Sequence, residues 1–149
     1  MFKNAQSEGV QPERHPRIIK PLKQRQMKTT ITSRFFQEKE FKQITPSCSL
    51  QDMDQSTMDM FDKARELADI PFVLTCAYRS SRWDKLKGRS GTGSHTLGRA
   101  VDISCTDSSR RSVIINALIA VGFTRIGIAK TFIHADNSDK HAERVIWTY

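Results

Sequence analysis

The spacing of apolar residues predicts two long helices. From about residue 55 to 69, apolar side chains recur at steps of three and four, which places them on one face of a helix. Asp54 or Ser56 is available as its N-cap, and Pro71 ends it. The apolar residues of this segment are Met58, Phe61, Ala64 and Ala68.

A second long helix is predicted after Asp107 or Ser108, either of which serves as an N-cap. Gly122 ends it. Its apolar positions are Val113, Ala117, Leu118 and Val121. A short helix is also expected over residues 38–42.

Short apolar runs predict the strands. Residues 79–93, polar and rich in Gly and Ser, predict a long loop, which a compact domain tolerates mainly for functional reasons. Long helices and short strands together favour an α+β fold, a mainly antiparallel sheet flanked by helices. The expected strands are 72–78, 99–104, a pair at 123–128 and 131–135 turning near 129–130, and 144–148.

Residues 1–33 have no such periodicity and contain three prolines, so we expect a disordered leader there and one folded domain over 34–149. Met27 is a candidate internal start. The net charge is +8, and residues 1–30 hold seven Lys or Arg against two Glu. Such a leader can bind nucleic acid, an anionic membrane or an anionic wall polymer, but a solvated arm is the plainer interpretation.

Composition gives further expectations. Cys48, Cys76 and Cys105 lack paired spacing, so we expect reduced thiols, with Cys76 and Cys105 acting as small buried hydrophobes. No run approaches the roughly 18 apolar residues of a membrane span, and no secretory signal is evident. We therefore expect synthesis in the cytoplasm and a monomer with no membrane span.

The candidate chemistry lies in residues 94–102 and 132–136. His95, Asp102 and His134 offer two imidazoles and a carboxylate, which suit one zinc ion and leave a coordination position open for water. Strand alternation puts Asp102 and His134 each on the face opposite its strand's apolar residues. A carboxylate inside Ala-Val-Asp-Ile is costly unless it is paired or bound to metal.

Other side chains are candidate helpers. Asp136 is a candidate proton-transferring base or a carboxylate supporting His134, and Arg79 is a candidate for binding an oxyanion or a substrate carboxylate. Three interpretations are open for His141: an ordinary surface residue, a spare metal ligand or a proton shuttle. The alternatives are that His95 and Asp102 are a His–Asp pair of common spacing that binds no metal, and that His134 is an ordinary histidine at a strand end.

These segments resemble the zinc D-Ala-D-Ala carboxypeptidases and related peptidoglycan endopeptidases. Residues 94–103 are similar to the family's Ser-x-His-x-x-Gly-x-Ala-x-Asp signature, although Ser94 directly precedes His95. The resemblance covers about residues 34–149. Its other segments are 73–80, ending in Tyr-Arg-Ser; 132–136, with Trp147 downstream; and 35–41.

The resemblance implies the fold shared with hedgehog signalling domains, one zinc ion on His95, Asp102 and His134, and a substrate-site Arg79. It implies cleavage of peptidoglycan stem peptides by a metal-bound water, as a carboxypeptidase or an endopeptidase, with phage lysis enzymes among the members. Many relatives carry an acid where this chain has Thr131, and Asp136 matches the branch with His-x-Asp. The alternatives are a non-catalytic zinc-binding or structural protein on this fold, or nucleic-acid binding through the leader, although nucleic acid is not an expected partner. No other small-molecule cofactor is expected.

Overall fold

The computed structural model describes residues 28–149, which form one sheet with helices packed against it. The helices are α1 (Glu38–Gln43), α2 (Gln55–Ala68), α3 (Ser81–Leu86) and α4 (Ser108–Ala120), and short 3-10 turns lie at Leu50–Asp52 and Ser94–Leu97. The strands are β1 (Leu74–Cys76), β2 (Ala100–Ser104), β3 (Arg125–Ile128), β4 (Phe132–Asp136) and β5 (Val145–Thr148). No helix in this part of the chain has the length and apolarity needed to cross a membrane.

The sheet has the order β1-β2-β4-β3-β5. The first three pairings are antiparallel, and β5 alone runs parallel to its neighbour β3. The predicted α+β fold with a mainly antiparallel sheet is therefore confirmed.

Helices α2 and α4 cover the apolar face of the sheet and begin where the sequence predicts. Asp54 accepts a hydrogen bond from the backbone N–H of Thr57, and Asp107 accepts one from that of Arg110. Each cap satisfies an N–H group that has no partner inside its helix. The largest fully buried apolar side chains are Phe36, Phe41, Met58, Phe61, Phe72, Val101, Ile103, Ile114, Leu118, Ile126 and Ile133.

Strands β2 and β4 alternate as predicted. Val101 and Ile103 of β2, with Ile133 and Ala135 of β4, belong to the apolar core. The intervening residues face the other side of the sheet, where Asp102 lies directly opposite His134 in the antiparallel register. The packing of the core thus fixes which side chains meet on the far face.

Two local predictions were wrong. The segment 79–93, predicted as a loop, contains α3, whose N-terminus is capped by the Ser80 hydroxyl accepting from the N–H of Trp83. A helix of six residues is too short to display apolar periodicity. β1 spans three residues rather than the predicted seven, and its pairing with β2 shifts register between Leu74 and Cys76.

The predicted leader is described only at its end, because residues 1–27, including Met27, lie outside the described residues. The N–H of Ile31 donates to Gln51 Oε1 at 2.9 Å, and Ser33 Oγ donates to Asp62 Oδ1 at 2.7 Å. Residues 31–33 are therefore bonded to the helical layer. The boundary at residue 34 stays a prediction.

Gly98 joins the 94–97 turn to β2 in a conformation that requires glycine. Its φ is +68°, and a Cβ there would lie 2.3 Å from the carbonyl oxygen of Asp52. The Gly98 carbonyl also accepts a hydrogen bond from the N–H of Asp54. The turn that carries His95 is thus pressed against the start of α2.

We expect Gly98→Ala to lower the free energy of unfolding by about 2 kcal/mol or more, because the added methyl meets backbone at a left-handed position. Urea denaturation measures the change. Gly93→Ala is the matched control, since Gly93 has negative φ and a methyl group added there would meet no atom within 4 Å apart from its two chain neighbours. Equal stability of the two variants would contradict the assignment of a strained contact to Gly98.

Candidate metal centre and cleft

A cleft of about 520 Å³ opens on the face of the sheet opposite the apolar core. His95, Asp102 and His134 line it, and all three are buried. Arg79 lines it as well, whereas Asp136 is fully buried behind His134. The structure therefore brings together these five side chains, and His141, the sixth candidate, lines the same cleft.

Three donor atoms converge in this cleft. His134 Nδ1 lies 2.9 Å from Asp102 Oδ1, His95 Nε2 lies 3.3 Å from the same oxygen, and the two nitrogens are 3.1 Å apart. The Cα register of β2 and β4 delivers Asp102 and His134, and the 94–97 turn delivers His95. Two imidazoles and a carboxylate are ligands that zinc accepts.

The other nitrogen of each imidazole already has a hydrogen-bond acceptor. His95 Nδ1 lies 2.6 Å from the carbonyl oxygen of Ala77, and His134 Nε2 lies 2.7 Å from Asp136 Oδ2. When the proton of each neutral ring lies on the nitrogen that faces its acceptor, His95 Nε2 and His134 Nδ1 keep a lone pair that can bind a metal ion. Histidines that bind metal are commonly oriented in this way by a carbonyl or a carboxylate. The residues present therefore fit a zinc ion.

The electrostatics of the site favour an anionic Asp102. Burial alone would raise its pKa, but hydrogen bonds with His134 and His95 outweigh burial and hold the pKa well below the usual range. For His134, burial disfavours the charged ring, yet the hydrogen bonds with Asp102 and Asp136 raise its pKa. The raised pKa of His134 reflects the negative potential of Asp102 and Asp136, which would equally favour a cation bound in place of that proton.

Asp136 has both carboxylate oxygens occupied. Oδ2 meets His134, while Oδ1 accepts from Arg125 Nε at 2.8 Å and from the N–H of Ser138 at 3.0 Å. Burial opposes ionisation, but these hydrogen bonds and the charge of Arg125 hold its pKa below the usual range. Of the two roles considered for Asp136, the contacts favour the carboxylate that orients His134 over a free base.

Arg79 lies at one side of the cleft, beside the start of α3. Its Nε is 3.0 Å from Asp84 Oδ1, although the two atoms lack the alignment of a hydrogen bond. Asp84 is 1% exposed, so its carboxylate is a buried counter-charge for the arginine. The guanidinium also lies over the ring of Trp83, 5.9 Å from its centroid.

Cys76 reaches the same centre. All three cysteines are buried and free, as the sequence predicts, but Cys76 lines the cleft, and its Sγ lies 3.8 Å from His95 Nδ1. With His95 and Asp102 it forms a second group of three possible ligand atoms within 4.8 Å of one another. Burial raises the pKa of the thiol to about 12. The apolar sequence around Cys76 gave no sign of this position.

Two further residues, one of them the Trp147 noted in the resemblance, contribute to the cleft. Arg125 lies opposite Asp136 in the β3–β4 register, and the sequence did not predict this pairing. Trp147 of β5 forms one wall, its ring centroid 5.3 Å from that of His134. It packs on Gly127, where a Cβ would come within 2.7 Å of the indole.

The sequence matches the family described as Peptidase M15 over residues 25–136. The match covers most of the chain, and the chain belongs to the peptidase M15 family, whose members are zinc-dependent. A search of the curated proteins and a search of the solved structures each gave no match.

We expect Asp136→Asn to weaken zinc binding by about 10- to 100-fold, because the amide no longer supplies the negative charge that orients and polarises His134. Competition with a chromophoric chelator measures the affinity. Asp139→Asn is the matched control, since Asp139 is exposed and pairs with Arg99 away from the donor atoms. Equal affinities in the two variants would contradict this role for Asp136.

Proposed function

We propose that the protein is a zinc peptidase in which His95 Nε2, Asp102 Oδ1 and His134 Nδ1 hold one ion. The observation that carries this proposal is the convergence of these three atoms within 3.3 Å while the outer nitrogen of each ring meets its own acceptor. Three protein ligands leave a coordination position open, as in catalytic zinc sites. Zinc in such a site polarises a carbonyl and makes a bound water more acidic.

The surrounding residues give the site its order. Asp136 fixes the ring of His134, and Arg125 and the backbone of Ser138 in turn hold Asp136. The Ala77 carbonyl does the same for His95. Because each imidazole is held by a buried acceptor and Asp102 lies on a paired strand, the donors are oriented before an ion or a substrate arrives.

We infer that the substrate is a peptide with a carboxylate near the bond that is cleaved. Arg79 and Arg89 both line the cleft around the single carboxylate of Asp84, and Arg89 Nη1 is 3.9 Å from it. One acid for two arginines leaves net positive charge at this side of the cleft. A guanidinium binds a carboxylate through two parallel hydrogen bonds.

Peptidoglycan stem peptides fit this requirement, because they are short and carry several carboxylates, including the one at a D-alanine terminus. The aromatic wall of Trp147 and Tyr149 would pack against the small apolar side chains of such a peptide. This substrate also agrees with the carboxypeptidases and endopeptidases that the sequence resembles.

A second candidate rests on Cys76. If its sulfur became a fourth ligand, the coordination would be closed, as in structural zinc sites, and the protein would bind zinc without turnover. The position of Cys76 beside His95 and Asp102 favours this candidate. Two observations argue against this candidate. The pKa of the Cys76 thiol is raised, and its sulfur lies near His95 Nδ1, the nitrogen that faces the Ala77 carbonyl rather than Asp102.

We expect the purified protein to hold one zinc per chain and to release peptides from purified peptidoglycan. His134→Ala should lower zinc content and reduce the rate by at least about 100-fold, since a ligand is lost. Chelation should abolish hydrolysis and added zinc should restore it. Elemental analysis and mass spectrometry of the released fragments measure both quantities.

Cobalt substitution distinguishes the two candidates. If the protein is a peptidase with the three proposed ligands, the spectrum of its cobalt form should show no sulfur-to-metal charge transfer. Cys76→Ser should leave that spectrum unchanged. A strong near-ultraviolet band lost in Cys76→Ser, together with no hydrolysis by the zinc form, would favour the closed site. Full activity of His134→Ala would remove the zinc assignment altogether.

For Arg79→Lys we expect a rise of about tenfold or more in KM for peptides with a free terminal carboxylate, because lysine cannot form the paired hydrogen bonds. The same peptides ending in a carboxamide should show little change. Steady-state kinetics on the matched peptides give both values. Arg82→Lys, an exposed change on α3, is the control. An equal loss on both peptides would show that Arg79 does not bind the carboxylate.

A further inference from the structure

The cleft contains one imidazole that the proposed zinc site does not use. His141 is half-buried and lines the same cleft as His95 and His134. We propose that His141 is a catalytic residue that carries the proton during hydrolysis, from the attacking water to the leaving amine. This proposal rests on the proposed peptidase function.

The position of His141 is fixed by a buried serine. His141 Nδ1 lies 2.7 Å from Ser138 Oγ, and Ser138 is 3% exposed. The N–H of Lys140 also donates to that hydroxyl, at 3.2 Å. The ring is therefore held by one nitrogen. Within residues 28–149, the other nitrogen, Nε2, has no hydrogen-bond partner.

The segment that carries His141 is tied to the metal centre at both ends. The Ser138 N–H donates to Asp136 Oδ1, and Arg125 donates through Nη1 to the carbonyl of Ala142. Arg125 and Asp136 are themselves paired, and Asp136 orients His134. The same ion pair therefore sets the orientation of a proposed zinc ligand and the place of His141.

The serine contact suits a group that gains and loses a proton. In the neutral tautomer with its proton on Nδ1, the hydroxyl oxygen accepts from Nδ1–H, and it accepts equally when the ring is protonated. In the neutral tautomer with Nδ1–H, Nε2 holds a lone pair and is the basic atom. The ring can thus keep its orientation while Nε2 changes state.

The other polar side chains of the cleft are less suited to the task. Asp136 has both oxygens occupied, and Arg79, Arg89 and Arg125 remain protonated in proteins. Burial raises the pKa of Tyr149, so its phenol keeps its proton at neutral pH. An imidazole is the ordinary side chain for proton exchange near neutrality.

His141 Nε2 takes up one proton and returns it within a single turnover. Water adds its oxygen to the carbonyl carbon and loses a proton to Nε2, so that His141 becomes imidazolium. The carbon–nitrogen bond then breaks, its electron pair stays on nitrogen, and Nε2–H returns the proton to that nitrogen. The products are a carboxylic acid and an amine, and His141 ends neutral as it began.

His141→Ala tests this assignment through chemical rescue. We expect kcat on peptidoglycan fragments to fall by about 10²- to 10⁴-fold, with zinc content and the urea midpoint unchanged. Added imidazole should restore part of the rate, and the less basic 4-bromoimidazole should restore less. Lys140→Ala, an exposed change in the same loop, should keep the wild-type rate.

Several outcomes would overturn the proposal. An unchanged kcat, a rate that no imidazole restores, or a loss of zinc equal to that of His134→Ala would each exclude proton transfer by His141. Ser138→Ala gives an independent check: it should lower kcat without loss of zinc, and imidazole should not rescue it, because the native ring is still present. An inactive wild type in the same assay would instead overturn the peptidase function.

Discussion

The buried carboxylate of Asp136 is the interaction on which the rest of the site depends. It lies at the end of β4 with no exposed surface, and its ionised form is sustained by Arg125, His134 and the backbone of Ser138. A buried charge that loses one partner typically costs about 3–5 kcal/mol. This one carboxylate therefore joins β3, β4 and the following loop. Its contacts set the orientation of the His134 ring and the position of the loop that carries His141.

The register of the sheet provides the second constraint. Asp102 and His134 face each other because Val101, Ile103, Ile133 and Ala135 occupy the core on the opposite side. A slip of one residue would move both donors into the core and the apolar side chains into the cleft. The burial that stabilises the domain is thus also what aligns the donors, and the chemistry needs no separate scaffold.

The elements that could be predicted from the sequence are those with a regular pattern of apolar residues. Periodicity revealed α2 and α4, and strand alternation put Asp102 and His134 on one face. What it could not reveal were features decided by single contacts between distant segments. α3 depends on one serine cap, the place of Cys76 in the cleft depends on how the irregular β1 edge pairs with β2, and the partners of Arg79 depend on the path of residues 80–89. The ion pair of Arg125 and Asp136 belongs to the same group, because a turn one residue later along the chain decides which residues face each other in the hairpin.

The aromatic wall of the cleft, Trp147 and Tyr149, comes from a different part of the chain than the three donor side chains. The three donors lie within residues 95–134, inside the segment shared with the family, whereas Trp147, Tyr149 and His141 follow its last matched residue, 136. Trp147 rests on the bare backbone of Gly127, so the wall is attached through one parallel strand and one glycine. Substitutions at Trp147 or Tyr149 would reshape this wall of the cleft without altering His95, Asp102 or His134. The aromatic wall and the three donor side chains therefore belong to separate stretches of the chain.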